Sequence, residues 1–270
     1  MRPRGGRPAR AGQIPEIASW RAFAAVLVLG ALGTMLSACS STPGPPPASL
    51  GTSMTRRVPT SIEKLPLTDQ HGTTLSLSAF TGKTVMVVPF LTLCTDICPM
   101  TTGNLLQVEQ ALRADKAASK VEILELSVDP GRDSPARLAA YARLSGASWA
   151  LVTETPPVLA EVAHYFGFVY QKVAEGYPPA TDWWTGEPLT YDVDHSDGYA
   201  LIDPDGRERF VTGAAPAFHG RLVSKLQNFL DAEGRDHLKN PPEPSWTPAD
   251  ALESLAWVLH QPLPAGGGSG

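Results

Sequence analysis

Cysteine is scarce in this chain: three residues in 270, at positions 39, 94 and 98. A structural zinc site needs a fourth ligand, and no further cysteine stands near Cys94 and Cys98 to supply one. Basic clusters are absent beyond Arg21, and the net charge is −5; both argue against a nucleic-acid partner. No internal repeat is visible. The uncharged stretch Ala22 to Leu36 falls short of the roughly 20 residues a spanning helix needs. It reads as an export signal, with an uncleaved anchor as the alternative.

What is present sorts by region. Arg2, Arg4, Arg7, Arg10 and Arg21 flank the apolar stretch, and Leu36-Ser37-Ala38-Cys39 closes it in the pattern of a bacterial lipobox, whose cysteine is acylated on sulfur and becomes the new N-terminus. Residues 1–38 are therefore expected to be a signal peptide ending in a lipobox. Lipidation of Cys39 would make the product an extracytoplasmic, membrane-anchored lipoprotein, and it also accounts for the odd cysteine count. Residues 39–59, with Pro43, Pro45, Pro46 and Pro47, cannot bury a core and read as a stalk. Residues 60–232 carry a globular pattern of one domain. Residues 233–270 form a C-terminal extension with a short amphipathic helix at Asp250 to His260, expected to pack on the domain, and a flexible Gly-rich end.

Within the domain, strands and helices alternate, which implies an α/β sandwich. Thr84 to Leu91 is a nearly continuous apolar run, as expected of a strand covered on both faces. Pro99 suits a first helical turn, with Leu105, Val108 and Leu112 at helical spacing. Val121 to Val128 reads as a second strand, and Ser134-Pro135 caps a helix ending near Gly146. Val158 to Phe166 predicts a further helix, Tyr199 to Ile202 a strand, and Phe218, Leu222, Leu226 and Phe229 a last amphipathic helix.

Cys94 and Cys98 flank the loop after the first central strand, where such folds present reactive groups. A helical or a tight-loop conformation would each let both sulfurs converge, on one ion or in one disulfide. The helix that starts at Pro99 favours a thiolate at Cys98. Two thiolates with one imidazole suit copper(I), a soft ion content with few ligands. His195 is the candidate imidazole, with Asp194 and its neighbours Asp192, Ser196 and Asp197 able to support it by hydrogen bonds. His71, His164 and His219 fit structural or surface roles.

The segments GKTVMVVPFLTLCTDICP, ILELSVDPGRDSPARLAAY and VDHSDGYALIDPDGR, in that order, resemble the signature stretches of the Sco/SenC family. The resemblance implies a thioredoxin-like fold, a central mixed sheet flanked by helices, and copper held by Cys94, Cys98 and His195. It gives Asp96 a role in tuning the site, and it matches Asp129-Pro130 and Arg132-Asp133 to a turn and helix start. Thr95 replaces the family's usual proline, so a less rigid loop is expected. The implied function is that of a metallochaperone delivering copper to the dinuclear centre of cytochrome c oxidase subunit II, or to another copper client. The alternative is a thiol-disulfide reductase working through Cys94 and Cys98, and a third class is a thiol peroxidase. A simple dithiol reductase has no need of His195, which favours copper handling.

Overall fold

In the computed structural model Thr84–Phe90, the strand expected to lie under both layers, is buried at every residue. Its Val, Met and Phe side chains face helices on either side, and its two neighbours satisfy its backbone. The structure describes residues 42–264; the expected signal peptide, the lipidation at Cys39 and the Gly-rich end lie outside the described residues.

In chain order, β1 (Thr52–Arg57) and the short α1 (Thr60–Glu63) precede a hairpin of β2 (Leu67–Asp69) and β3 (Thr74–Leu75). The central unit follows: β4 (Thr84–Phe90), α2 (Cys98–Ala114), β5 (Val121–Ser127), α3 (Pro135–Ser145), β6 (Ala150–Thr153) and α4 (Pro156–Phe166). A ribbon of β7 (Tyr170–Val173) and β8 (Asp192–His195) leads into β9 (Tyr199–Ile202) and β10 (Arg207–Thr212). The chain ends with β11 (Ala215–Pro216), α5 (Ser224–Gln227), α6 (Ala232–His237), β12 (Ser245–Trp246) and α7 (Pro248–Leu259). The main sheet runs β1-β10-β9-β4-β5-β6-β2-β3. Strands β4, β5 and β6 are parallel, while β9 pairs antiparallel to β4. This is a thioredoxin-like α/β fold with a central mixed sheet flanked by helices.

Local chemistry explains the helix limits. Ser134 accepts a hydrogen bond from Arg137 N, Pro135 fills the first turn of α3, and Gly146 ends it at φ 87°, a left-handed stop that glycine adopts freely. Two expectations need correction. Residues 52–57, placed in the stalk by composition, form β1 and pair with β10; proline and serine upstream say nothing of an edge strand that starts after them. The apolar spacing of Phe218, Leu222, Leu226 and Phe229 gives no single helix, since Gly220 at φ 109° breaks it and α5 is four residues long. That spacing records burial against α2 instead: a Cβ on Gly103 would strike Leu222 and Phe218. The helix expected at Asp250 to His260 is α7, and it packs on the domain as expected, with the residues before it joining the core. Trp246 is fully buried edge-on to Tyr199, and Ser254 Oγ of α7 lies 3.1 Å from the Tyr199 hydroxyl.

Candidate metal centre

Strand β4 delivers the chain to a tight turn at residues 92–97, and α2 begins at Cys98 with Pro99 in its first turn. Cys94 lies in the turn, and the Cys98 N–H donates to its Sγ at 3.3 Å. The positive end of α2 is thus aimed at Cys94 rather than Cys98. This reverses the sequence expectation. The Cys94 thiol is pulled well below its usual range, first by the hydrogen bond from the Cys98 thiol, then by His195 and last by the Cys98 N–H, whereas burial followed by the negative Cys94 pushes Cys98 well up. Both residues are free thiols.

His195 is the last residue of β8. Its Nε2 lies 3.4 Å from Cys98 Sγ, and its Nδ1 lies 2.7 Å from the Ser196 carbonyl. A carbonyl only accepts, so Nδ1 carries the proton and Nε2 is turned toward the sulfurs. Burial opposes charge on this ring, but the Cys94 thiolate and Asp197 outweigh it and raise the imidazolium to about 9. Cys94, Cys98 and His195 bring their ligand atoms within 4.8 Å of one another. Two soft sulfurs and one nitrogen, the third drawn from a different element, fit a low-coordinate copper(I) ion and leave room for an incoming ligand.

The segment Asp129–Asp133 ties the two halves of this centre together. Asp133, fully buried, accepts from Thr92 N at 3.2 Å and from Ser127 Oγ at 2.7 Å, which fixes the chain two residues before Cys94. Burial lifts its carboxyl to about 6 despite these donors. Asp129 accepts from the Tyr191 hydroxyl at 2.8 Å, and Arg132 donates to the Tyr191 carbonyl at 2.8 Å while stacking on its ring. Tyr191 immediately precedes β8. The turn expected to be structural therefore positions both the cysteine loop and the histidine arm.

The connection between β7 and β8 folds back over the site. Trp183 Nε1 donates to Thr92 O at 2.7 Å, and the buried pair Arg137–Asp182 anchors the loop to α3 through bonds of 2.9 and 2.7 Å. Asp194 plays no such part: it lies on the exposed face of β8, where its carboxylate accepts from Gln171 at 3.4 Å. Alternation along a strand sends residues 194 and 195 to opposite sides, and Asp197, 4.0 Å from His195 Nδ1, stands in the position expected of Asp194. Asp96 is half-buried and bonded to His237 Nδ1 at 2.6 Å. His237 escaped the sequence reading, since nothing in the local pattern links it to a residue so far upstream.

Fold and centre define a class: a thioredoxin-like domain whose Cys-x-x-x-Cys turn meets a histidine from a distant strand. The SCO1/SenC family model matches residues 55–229, and the chain belongs to that family. The mitochondrial SCO2 homolog of Bos taurus is 29% identical over 140 residues, 52% of this chain and 49% of that protein, so the match takes in about half the length of that relative. A Stutzerimonas stutzeri protein named "Putative copper-binding protein" is 28% identical over 172 residues, 64% of this chain and 78% of its own length. Among solved structures, Bradyrhizobium japonicum ScoI with copper bound is 26% identical, with a TM-score of 0.46, covering 64% of this chain and 94% of that one.

Proposed function

We propose that this protein is an extracytoplasmic copper(I) carrier that loads the dinuclear copper centre of cytochrome c oxidase subunit II or another copper client. The observation that carries the reading is the meeting of two sulfurs and one imidazole nitrogen within 4.8 Å. Membership of the SCO1/SenC family supports it, as does the name of the Stutzerimonas relative. Copper is the cargo. Cys94 and Cys98 supply charge and softness, and His195 closes the shell as the ligand most easily displaced. A client thiolate can then take His195's place before either cysteine lets go, so the ion need not pass through solution. Cys39, at the lipobox-like Leu36–Cys39, would tether the carrier by a lipid; among the described residues no helix is long and apolar enough to cross a membrane.

A second reading rests on the Cys94 thiol, held well below its usual range beside a protonated Cys98. Cys94 as thiolate attacks a client disulfide and forms a mixed disulfide. Cys98 then loses its proton and displaces the client's second sulfur, so the client leaves as a dithiol and the carrier ends as the Cys94–Cys98 disulfide. Oxidase activity of cells grown with scarce copper separates the two. Copper delivery predicts that deletion and His195→Ala both lower activity and that added copper restores it by mass action. Full activity of His195→Ala at low copper, with Cys94→Ala inactive, would transfer the function to thiol exchange.

A further inference from the structure

Thr95 and Asp96, the first two of the three residues between the cysteines, are gripped by a segment that lies beyond the family match, which ends at residue 229. Asp231 N donates to the Thr95 carbonyl at 2.9 Å, and the Thr95 hydroxyl donates back to Asp231 Oδ2 at 3.0 Å. The other carboxylate oxygen of Asp231 caps α6 by accepting from Gly234 N at 2.9 Å. One turn on, His237 Nδ1 meets Asp96 Oδ1 at 2.6 Å. Between these anchors the α6 backbone rests directly on the loop. A Cβ on Gly234 would stand 2.6 Å from the Thr95 carbonyl oxygen and 2.9 Å from Asp96 Cα, so only glycine fits.

Proline at position 95 would fix φ and stiffen the turn from within. Threonine does not, yet it offers a hydroxyl that proline lacks, and α6 uses it. We infer that Asp231, Gly234 and His237 are positioning residues that clamp the cysteine loop from outside and slow the release of copper from Cys94 and Cys98. The physical ground is simple. For a sulfur to leave the ion, the peptide between the cysteines must turn, and four contacts from α6 hold that peptide still. A clamped loop loses little further entropy when the ion binds, so both sulfurs stay in reach of it.

This inference rests on the copper reading, and two readouts keep them apart. The full chain is reduced, loaded with one equivalent of copper(I), and mixed with excess bicinchoninate; in parallel, the metal-free reduced protein is treated with iodoacetamide and alkylation of Cys94 is followed by mass spectrometry. His237→Ala should keep one copper, lower the melting temperature by no more than a few degrees, lose copper about tenfold faster and alkylate about tenfold faster, the factor expected for a lost charge-assisted hydrogen bond. Thr95→Val, nearly isosteric, should shift both rates in the same direction. His237→Asn, whose amide nitrogen falls near the position of Nδ1, should return them toward wild type, which a merely destabilised fold would not do. Wild-type rates in both His237→Ala and Thr95→Val would overturn the clamp. A wild-type protein that binds no copper would remove the copper reading, while faster alkylation of the variants would still establish the clamp.

Discussion

The two halves of the centre are built differently. The cysteine half is embedded: Cys98 is buried, β4 and α2 hold the turn on either side, and Asp133, Trp183 and α6 fasten its backbone. The histidine half is an outrigger. His195 sits on β7–β8, a two-stranded ribbon separate from the main sheet, held by Tyr191 at its root and by Asp182 in its connecting loop. Two-stranded ribbons have little stability of their own, so the position of this arm depends on those anchors. The centre thus takes two ligands from the main α/β unit and its third from a ribbon held in place by side-chain anchors.

Substitutions can break or sharpen that contrast. The largest effect belongs to the fixed half: Cys94→Ala or Cys98→Ala should abolish stoichiometric copper(I) binding while the protein still unfolds cooperatively, as read by metal analysis and denaturant titration. Asp182→Ala attacks the outrigger. It strands Arg137, buried on α3, and should cost about 3–5 kcal/mol in denaturant unfolding, with copper affinity lowered through His195 and a smaller rise in thiol reactivity, since the neighbouring Trp183 holds Thr92 O. Equal damage to thiol reactivity would erase the distinction between the halves. The smallest effect lies beneath the cysteine helix. Glu125 is fully buried, hydrogen-bonded to Trp149 Nε1 at 2.8 Å and Thr102 Oγ1 at 3.2 Å, and burial lifts its carboxyl from 4.5 to about 7. The folded state therefore keeps this proton where the unfolded chain has lost it. Stability from Glu125 is present below about pH 4.5 and fades as pH rises through 7, by roughly 3 kcal/mol; Glu125→Gln should flatten that slope in unfolding curves taken between pH 5 and 8.

The sequence was most legible where local chemistry decides structure. The unbroken apolar run of β4, the Pro99 start of α2, and the Ser134–Gly146 limits of α3 follow from period, caps and turn residues. Cys94, Cys98 and His195 were legible as donors because their residue types and their loop and strand-end positions carry chemistry. Direction was not. The helix-terminus argument favoured Cys98, but the N–H at the start of α2 points back to Cys94, which depends on how the turn folds. Asp194 adjoins His195 in sequence, but the strand pleat turns it away, and Asp197, past the end of β8, comes near the ring instead. Contacts such as Asp96–His237, Thr92–Asp133 and Tyr199–Trp246 join residues far apart in the chain, so no local pattern announces them. The end of the stalk was misplaced for the same reason, since composition reports what a segment resembles and tertiary packing decides what it joins.

The central claim is that an embedded thiolate pair and an outlying imidazole share one copper(I) ion. Anaerobic reduced protein, loaded with copper(I) and freed of excess by a chelator column, can be measured by X-ray absorption at the copper edge, with His195→Ala in parallel. One copper per chain with two sulfur neighbours and one nitrogen, and loss of the nitrogen together with about 10–100-fold weaker binding in the variant, is the predicted result. Absence of retained copper, or an unchanged copper spectrum in His195→Ala, would contradict it.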